Sequence, residues 1–339
     1  MKLSTLLVLT ILAGIVIFSA ISFLAGFNQI YDVLQKANYW YIVLAIGFQL
    51  LSVTAVFLRW DMVIRYCKMK IAYSRLFLIT LAGIAFSHLM PSSRMGGEPL
   101  RAYFLKKDTG KNISLCFSTI IAERIFDAVT FSVISLFVLI SIFLFWSLPA
   151  WVMALLLIAF LLTMLILFLM VFISINKRSA MKLVKWSFKV FSRFLSRWKN
   201  ISSWERKIEK DVTMYSENVS RLIRKRKLWL YGLSFSLLAW LFDIFRIYFI
   251  FLAFGSNVSL IVIGVTIVIA ALAGTIPISP GGLGLIEAAM LIVFAAAGIP
   301  IAIAGMVTIM DRLISYWGLS LTGLASSYYL GIKKYRAKA

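Results

Sequence analysis

Ten ionisable side chains stand inside otherwise apolar stretches of this chain: Arg94, Arg124, Arg246 and Arg312, with Glu98, Glu123, Asp127, Asp243, Glu287 and Asp311. One charge at the centre of a bilayer helix costs about 3 kcal/mol on insertion scales, so ten facing lipid would cost roughly 30 kcal/mol. They must face one another, a water-filled cavity or a charged ligand. Arginine's planar fork suits bidentate recognition of phosphate or carboxylate. His88 is the only histidine, and Cys67 and Cys116 have no metal-ligand spacing. Zinc chemistry and histidine base catalysis are therefore poorly supplied, and carboxylates are the plausible proton carriers. No metal or cofactor is expected.

Four clusters carry the candidate chemistry. The first is the break Pro91–Pro99, where Gly96 and Gly97 allow close backbone approach and Arg94 and Arg101 flank Glu98. It reads as a loop receiving an anionic headgroup, or as a Glu98–arginine bridge that only fixes the loop. The second is Pro277–Gly284, with Gly281 and Gly282, followed by Glu287. It lacks the Lys-Ser/Thr ending of a nucleotide loop. A helix starting there presents free N–H groups to an anion, and Glu287 either caps that end or carries a proton. The third is Glu123-Arg124-Ile125-Phe126-Asp127, whose two carboxylates share a helix face. The fourth is Asp311-Arg312, whose side chains diverge enough to pair with different helices. Asp243 and Arg246 form an in-helix pair that reads as structural.

Elements able to hold these groups follow from composition. Hydrophobic residues make up 62% of the 339, and several runs reach the roughly 20 residues that span a bilayer. Such runs make an all-α polytopic membrane protein, because only helices or closed barrels satisfy their backbone in lipid. Apolar segments run at about 3–27, 39–58, 76–90, 113–146, 149–173, 228–254, 259–276, 283–298 and 301–330. The first reads as an uncleaved anchor. Basic residues concentrate in 59–75, 101–111, 176–227 and 331–339, which places those segments and both termini in the cytoplasm.

Because 59–75 and 101–111 are both basic, the short segment 76–90 must enter and leave on one side. The break at 91–99 is then a re-entrant hairpin. A second hairpin, broken at 277–284, enters from the opposite side. Each break is followed by a helix bearing acid-Arg at a matching offset. An inverted repeat with about six full spans is expected, and broken segments in corresponding halves point to a transporter's substrate site. Residues 1–175 form the N-terminal membrane half, with the first repeat at about 39–146, and 228–339 form the C-terminal half.

Between them, 176–227 reads as two basic amphipathic helices. The stretch 182–198 suits the anionic inner-leaflet surface. The net charge of +22 follows membrane topology, so no nucleic acid is expected as a partner. A second copy of the chain or a lipid-modifying enzyme stays open.

Four motifs in order resemble a known family: Pro91–Arg101 (P-x-x-R-x-G-G-E-P-x-R), Glu123–Asp127 (E-R-x-x-D), Pro277–Glu287 (P-x-x-P-G-G-L-G-x-x-E) and Arg312–Trp317 (R-x-x-S-Y-W). The chain resembles the flippase-like integral membrane proteins related to the transmembrane flippase domain of lysylphosphatidylglycerol synthases, over essentially its whole length. The resemblance implies a translocase of lipids with anionic or zwitterionic headgroups, without a synthase domain, in a prokaryotic plasma or inner membrane. It does not carry over the identity of the lipid. The proposed binding set is Arg94, Gly96, Gly97, Glu98, Arg101, Glu123, Arg124, Asp127, Gly281, Gly282, Glu287 and Arg312. No catalytic residue is expected. A membrane-embedded headgroup transferase and a non-transporting scaffold are the alternatives.

Overall fold

The computed structural model describes residues 19, 31, 33–90, 96–145, 150–182, 201–276 and 279–336. Arg94, most of the leading apolar segment and nearly all of the basic stretch 182–198 lie outside them. Every regular element among the described residues is helical.

Among the described residues, three helices are long and apolar enough to cross a bilayer: α1 (Tyr39–Tyr66), α4 (Ile113–Phe145) and α7 (Arg226–Ala253). At 28 residues, α1 and α7 each reach about 42 Å. They run antiparallel along much of their length. The Asn38 N–H at the start of α1 donates to the Ala253 carbonyl at the end of α7 (2.8 Å). Phe48 packs among Phe242, Phe245 and Phe249, with ring centroids 5.2–5.9 Å apart.

Shorter helices, apolar except for α3, make two hairpins. In the first, α2 (Tyr73–Leu89) is followed by the break and then α3 (Glu98–Thr109). Pro99 sits in the first turn of α3, where its missing N–H costs nothing, and left-handed Gly110 ends it. In the second, α8 (Leu260–Ala273) is followed by a 3₁₀ turn (Pro280–Gly282) and α9 (Leu285–Ala296).

The last apolar segment is not one uninterrupted helix. α10 (Ile301–Arg312) passes through a π-helical turn (Leu313–Gly318) into α11 (Leu319–Arg336). That turn covers most of the Arg312–Trp317 motif, and such turns occur often at functional sites. α11 lies on α2, where a Cβ on Gly323 would come within 2.2 Å of the Leu81 carbonyl oxygen.

Two further helices, α5 (Ala150–Ile175) and α6 (Ile201–Ile223), pack on α4. α6 is the second expected amphipathic helix. Its Val219 and Leu222 are buried against the bundle, and Ser114 at the head of α4 donates to Asp211 (3.0 Å). It is thus docked onto protein.

Burial has the polarity of a membrane protein. Val133, Phe137, Phe143, Leu162, Ile166 and Phe168 are exposed on α4 and α5, while Arg59, Glu98, Arg101, Glu123, Arg246, Glu287 and Asp311 are buried. In water, so large an exposed apolar surface would aggregate. In lipid it is the required exterior, with the charges gathered within.

Candidate functional site

A cavity of about 260 Å³ lies where the long helices and both hairpins meet. Its wall includes Arg59, Arg101, Arg124, Asp127, Asp243, Arg246, Asp311 and Arg312, with Gln49, Ser52, His88, Gly281 and Tyr316. Among the expected binding residues, Arg101, Arg124, Asp127, Gly281 and Arg312 therefore reach it directly. Glu98, Glu123 and Glu287 stand behind as partners. Gly97 and Gly282 shape the breaks, and Gly96 adjoins Gly97 in the first.

Glu123 is fully buried, held by Arg59 Nη2 (2.5 Å) and Nε (2.9 Å) and by Arg101 Nη1 (3.0 Å). Arg59 Nη1 also donates to Asp127 (2.7 Å) and Ser236 (2.7 Å). Arg124, next to Glu123, points elsewhere and binds Glu98 (2.6 Å). In the other half, Arg246 donates to Asp311 (2.8 Å), Gln49 (2.8 Å) and Asp243. Arg312 binds Glu287 (2.6 Å), whose second carboxylate oxygen accepts from the Gly284 N–H at the start of α9 (2.6 Å). Glu287 thus caps its helix and pairs with Arg312 at once. The Asp243–Arg246 pair is present as expected, and Asp311 and Arg312 do pair with different helices.

These contacts follow a two-fold rule. Arg59–Glu123 and Arg246–Asp311 span 64 and 65 residues, and Glu98–Arg124 and Glu287–Arg312 span 26 and 25. Arg59 on α1 donates to Ser236 of α7, and Arg246 on α7 donates to Gln49 of α1, each acceptor standing at the same offset before the other arginine. Such reciprocal contacts between antiparallel equivalent elements are what an inverted repeat produces.

The first hairpin also meets the π-helical turn, α11 and the tip of the second hairpin. The Tyr316 hydroxyl donates to the His88 carbonyl (3.1 Å), and the two rings stack at 4.7 Å. His88 Nδ1 lies 3.0 Å from the Ser320 hydroxyl. Gly281 is left-handed (φ 57°), and a Cβ there would sit 2.4 Å from the Tyr316 ring and 2.7 Å from the His88 carbonyl. Close approach likewise requires Gly97, whose N–H donates to Ser87 (3.0 Å) and whose Cβ would fall 1.9 Å from the Gly83 carbonyl oxygen.

Two basic residues differ from their sequence assignment. Arg59 was counted with the basic connection 59–75, yet α1 continues to Tyr66 and Arg59 is 1% exposed. Arg101, which belongs both to the basic connection 101–111 and to the expected binding set, is equally buried, at 3%. A helical stripe on α1 of Ala45, Gln49, Ser52, Val56, Arg59 and Val63 was the available signal for Arg59. Arg101 stacks on Trp60, its guanidinium carbon 4.0 Å from the ring centroid. Its Nε and Nη2, like Glu98 Oε2, are buried without a hydrogen-bond partner. Leaving a buried polar group unpaired costs about 1–3 kcal/mol, and more for a charged one.

A multi-pass helical bundle with paired breaks around a charged cavity defines a class of integral membrane proteins. Within that class, the chain belongs to the family of the lysylphosphatidylglycerol synthase transmembrane region, whose model matches residues 11–323. It is similar to a UPF0104 membrane protein of Methanothermobacter thermautotrophicus, 31% identical over 321 residues, covering 95% of this chain and 94% of the relative. A UPF0104 membrane protein of Methanocaldococcus jannaschii is 28% identical, covering 93% and 92%. Another from Pyrococcus horikoshii is 26% identical, covering 93% and 94%.

Proposed function

We propose that this protein is a lipid translocase of the plasma membrane, moving a phosphate-bearing phospholipid or polyprenyl-linked lipid between leaflets, with both termini cytoplasmic. The observation that carries the reading is the charged cavity placed between two broken hairpins inside an apolar exterior. Pockets that enclose drug-sized ligands run about 300–1,000 Å³, so about 260 Å³ suits a headgroup whose chains stay in the bilayer. The two-fold relation supplies a means of alternating access: one half rocks against the other around a fixed site. The ion pairs within each half let it move as a unit. Membership of a synthase's membrane-region family supports a lipid as the cargo.

The test is leaflet exchange by purified protein in liposomes, read by dithionite quenching of fluorescent lipids with several headgroups. Headgroup-dependent exchange is expected. Absence of exchange for every lipid, with and without a proton gradient, overturns the reading. Covalent change in a labelled lipid would instead identify a transferase.

A further inference from the structure

Pseudo-symmetry sorts the charges of the cavity. The Arg59–Glu123 and Glu98–Arg124 pairs recur as Arg246–Asp311 and Glu287–Arg312. Interactions present in both halves are what a common frame needs, and their charges cancel pair by pair. Among the described residues that line the cavity, three charges do not recur. Arg101 corresponds to Met290, Asp127 to Ser315 and Asp243 to Val56. Asp127 and Asp243 are each engaged by an arginine. Arg101 alone among these three keeps buried atoms without a partner, namely Nε and Nη2.

Those two nitrogens form one edge of the guanidinium, with parallel N–H bonds in the geometry that grips two oxygens of a phosphate. The rest of the side chain is held in place. Nη1 is tied to Glu123 at 3.0 Å, the flat face lies 4.0 Å from the Trp60 ring centroid, and Gly83 leaves room for the stem, since a Cβ there would come within 2.5 Å of Arg101 Cγ.

We infer that Arg101 is the oxyanion site of the cavity, taking two oxygens of a single phosphate group through Nε and Nη2. The site occurs once, in the first half, because its symmetry position is Met290. Arg124 and Arg312, already paired with glutamates, serve as frame. The lipid identity of the ligand rests on the translocase reading, but the oxyanion chemistry does not, since the same edge would hold free inorganic phosphate.

The experiment compares the full chain with Arg101→Met and Arg101→Lys. Exchange is measured for fluorescent phosphatidylglycerol, phosphatidylethanolamine and phosphate-free ceramide, and thermal stabilisation by inorganic phosphate is measured in detergent. The expected result is that wild type exchanges the two phospholipids but not ceramide, and that both variants lose this by roughly tenfold or more, the lysine keeping the charge but not the fork. If wild type exchanges no lipid but is stabilised by phosphate, and Arg101→Met abolishes the stabilisation, the oxyanion site stands with free phosphate as its source and the translocase reading fails alone. Wild-type rates and phosphate stabilisation in a folded Arg101→Met variant overturn the inference, as does wild-type protein that neither exchanges phospholipid nor responds to phosphate. Should both substitutions prevent folding, Gly83→Ala, which displaces the arginine stem, is the substitute and is expected to lower exchange in the same direction.

Discussion

Arg59 shows how much a single buried side chain can hold together here. It is 1% exposed and donates to Glu123, Asp127 and Ser236, tying α1 to α4 and α7. Removing one partner of a buried charge cluster costs about 3–5 kcal/mol, because the remaining charge is left uncompensated. Arg59→Met is therefore expected to lower the melting temperature strongly, measured by intrinsic fluorescence in detergent. Glu123→Gln should cost far less in the Arg59→Met background than alone, a coupling that a double-mutant cycle reads directly. Additive losses would mean that the two residues do not act as one unit. At this scale the sequence was most legible where charge interrupted apolar runs: Glu123, Arg124, Asp243, Glu287, Asp311 and Arg312 were all visible that way. Arg101 was legible beside Glu98 in the first break, although a count of basic residues assigns it to 101–111. Arg59 was hidden because it stands at the edge of a basic connection, where such a count absorbs it, and only the polar stripe along α1 sets it apart from its solvated neighbours.

Elements were legible where covalent chemistry dictates them. Proline and paired glycines marked both breaks, and the structure shows why the glycines are needed at Gly97 and Gly281. Gly97→Ala would drive a methyl group into the Gly83 carbonyl oxygen, so α3 could no longer dock on α2. Gly281→Ala combines left-handed backbone with collision against Tyr316. Each is expected to destabilise by about 2 kcal/mol or more. Gly110→Ala is the control, since it is equally left-handed (φ 66°) but has nothing within 4 Å. It should cost only about 1 kcal/mol. Thermal unfolding of the three variants side by side checks the ordering, and a Gly110→Ala loss matching Gly97→Ala would remove the case for close approach. Other boundaries were illegible for a physical reason. The end of α1 at Tyr66 carries charged residues that are buried by tertiary contact, not by local pattern. The π-helical turn at Leu313–Gly318 contains no proline, so no residue in it announces an interruption of the helix.

For the molecule as a whole, the two proposed halves touch where the proposed transport cycle requires them to part. On the proposed cycle, the contact of Tyr316 with His88 joins the second half to the tip of the first hairpin. The individual ion pairs Glu98–Arg124 and Glu287–Arg312 stay within their own halves and need not break. Weakening this one of the several contacts that join the halves should then favour opening without loosening either half. Tyr316→Phe keeps the ring that stacks on His88 and deletes only the hydroxyl that donates to its carbonyl. One such hydrogen bond contributes about 0.5–1.5 kcal/mol net, so exchange should speed up by roughly two- to tenfold if breaking that contact limits the rate. The melting temperature should fall by only a few degrees. Exchange in liposomes and unfolding in detergent, run on the same preparation, separate the two effects. A slower variant with unchanged stability would place the hydroxyl in the passage of the headgroup. An unchanged rate would show that the halves separate elsewhere, leaving the His88–Tyr316 contact as a fixed hinge around which they turn.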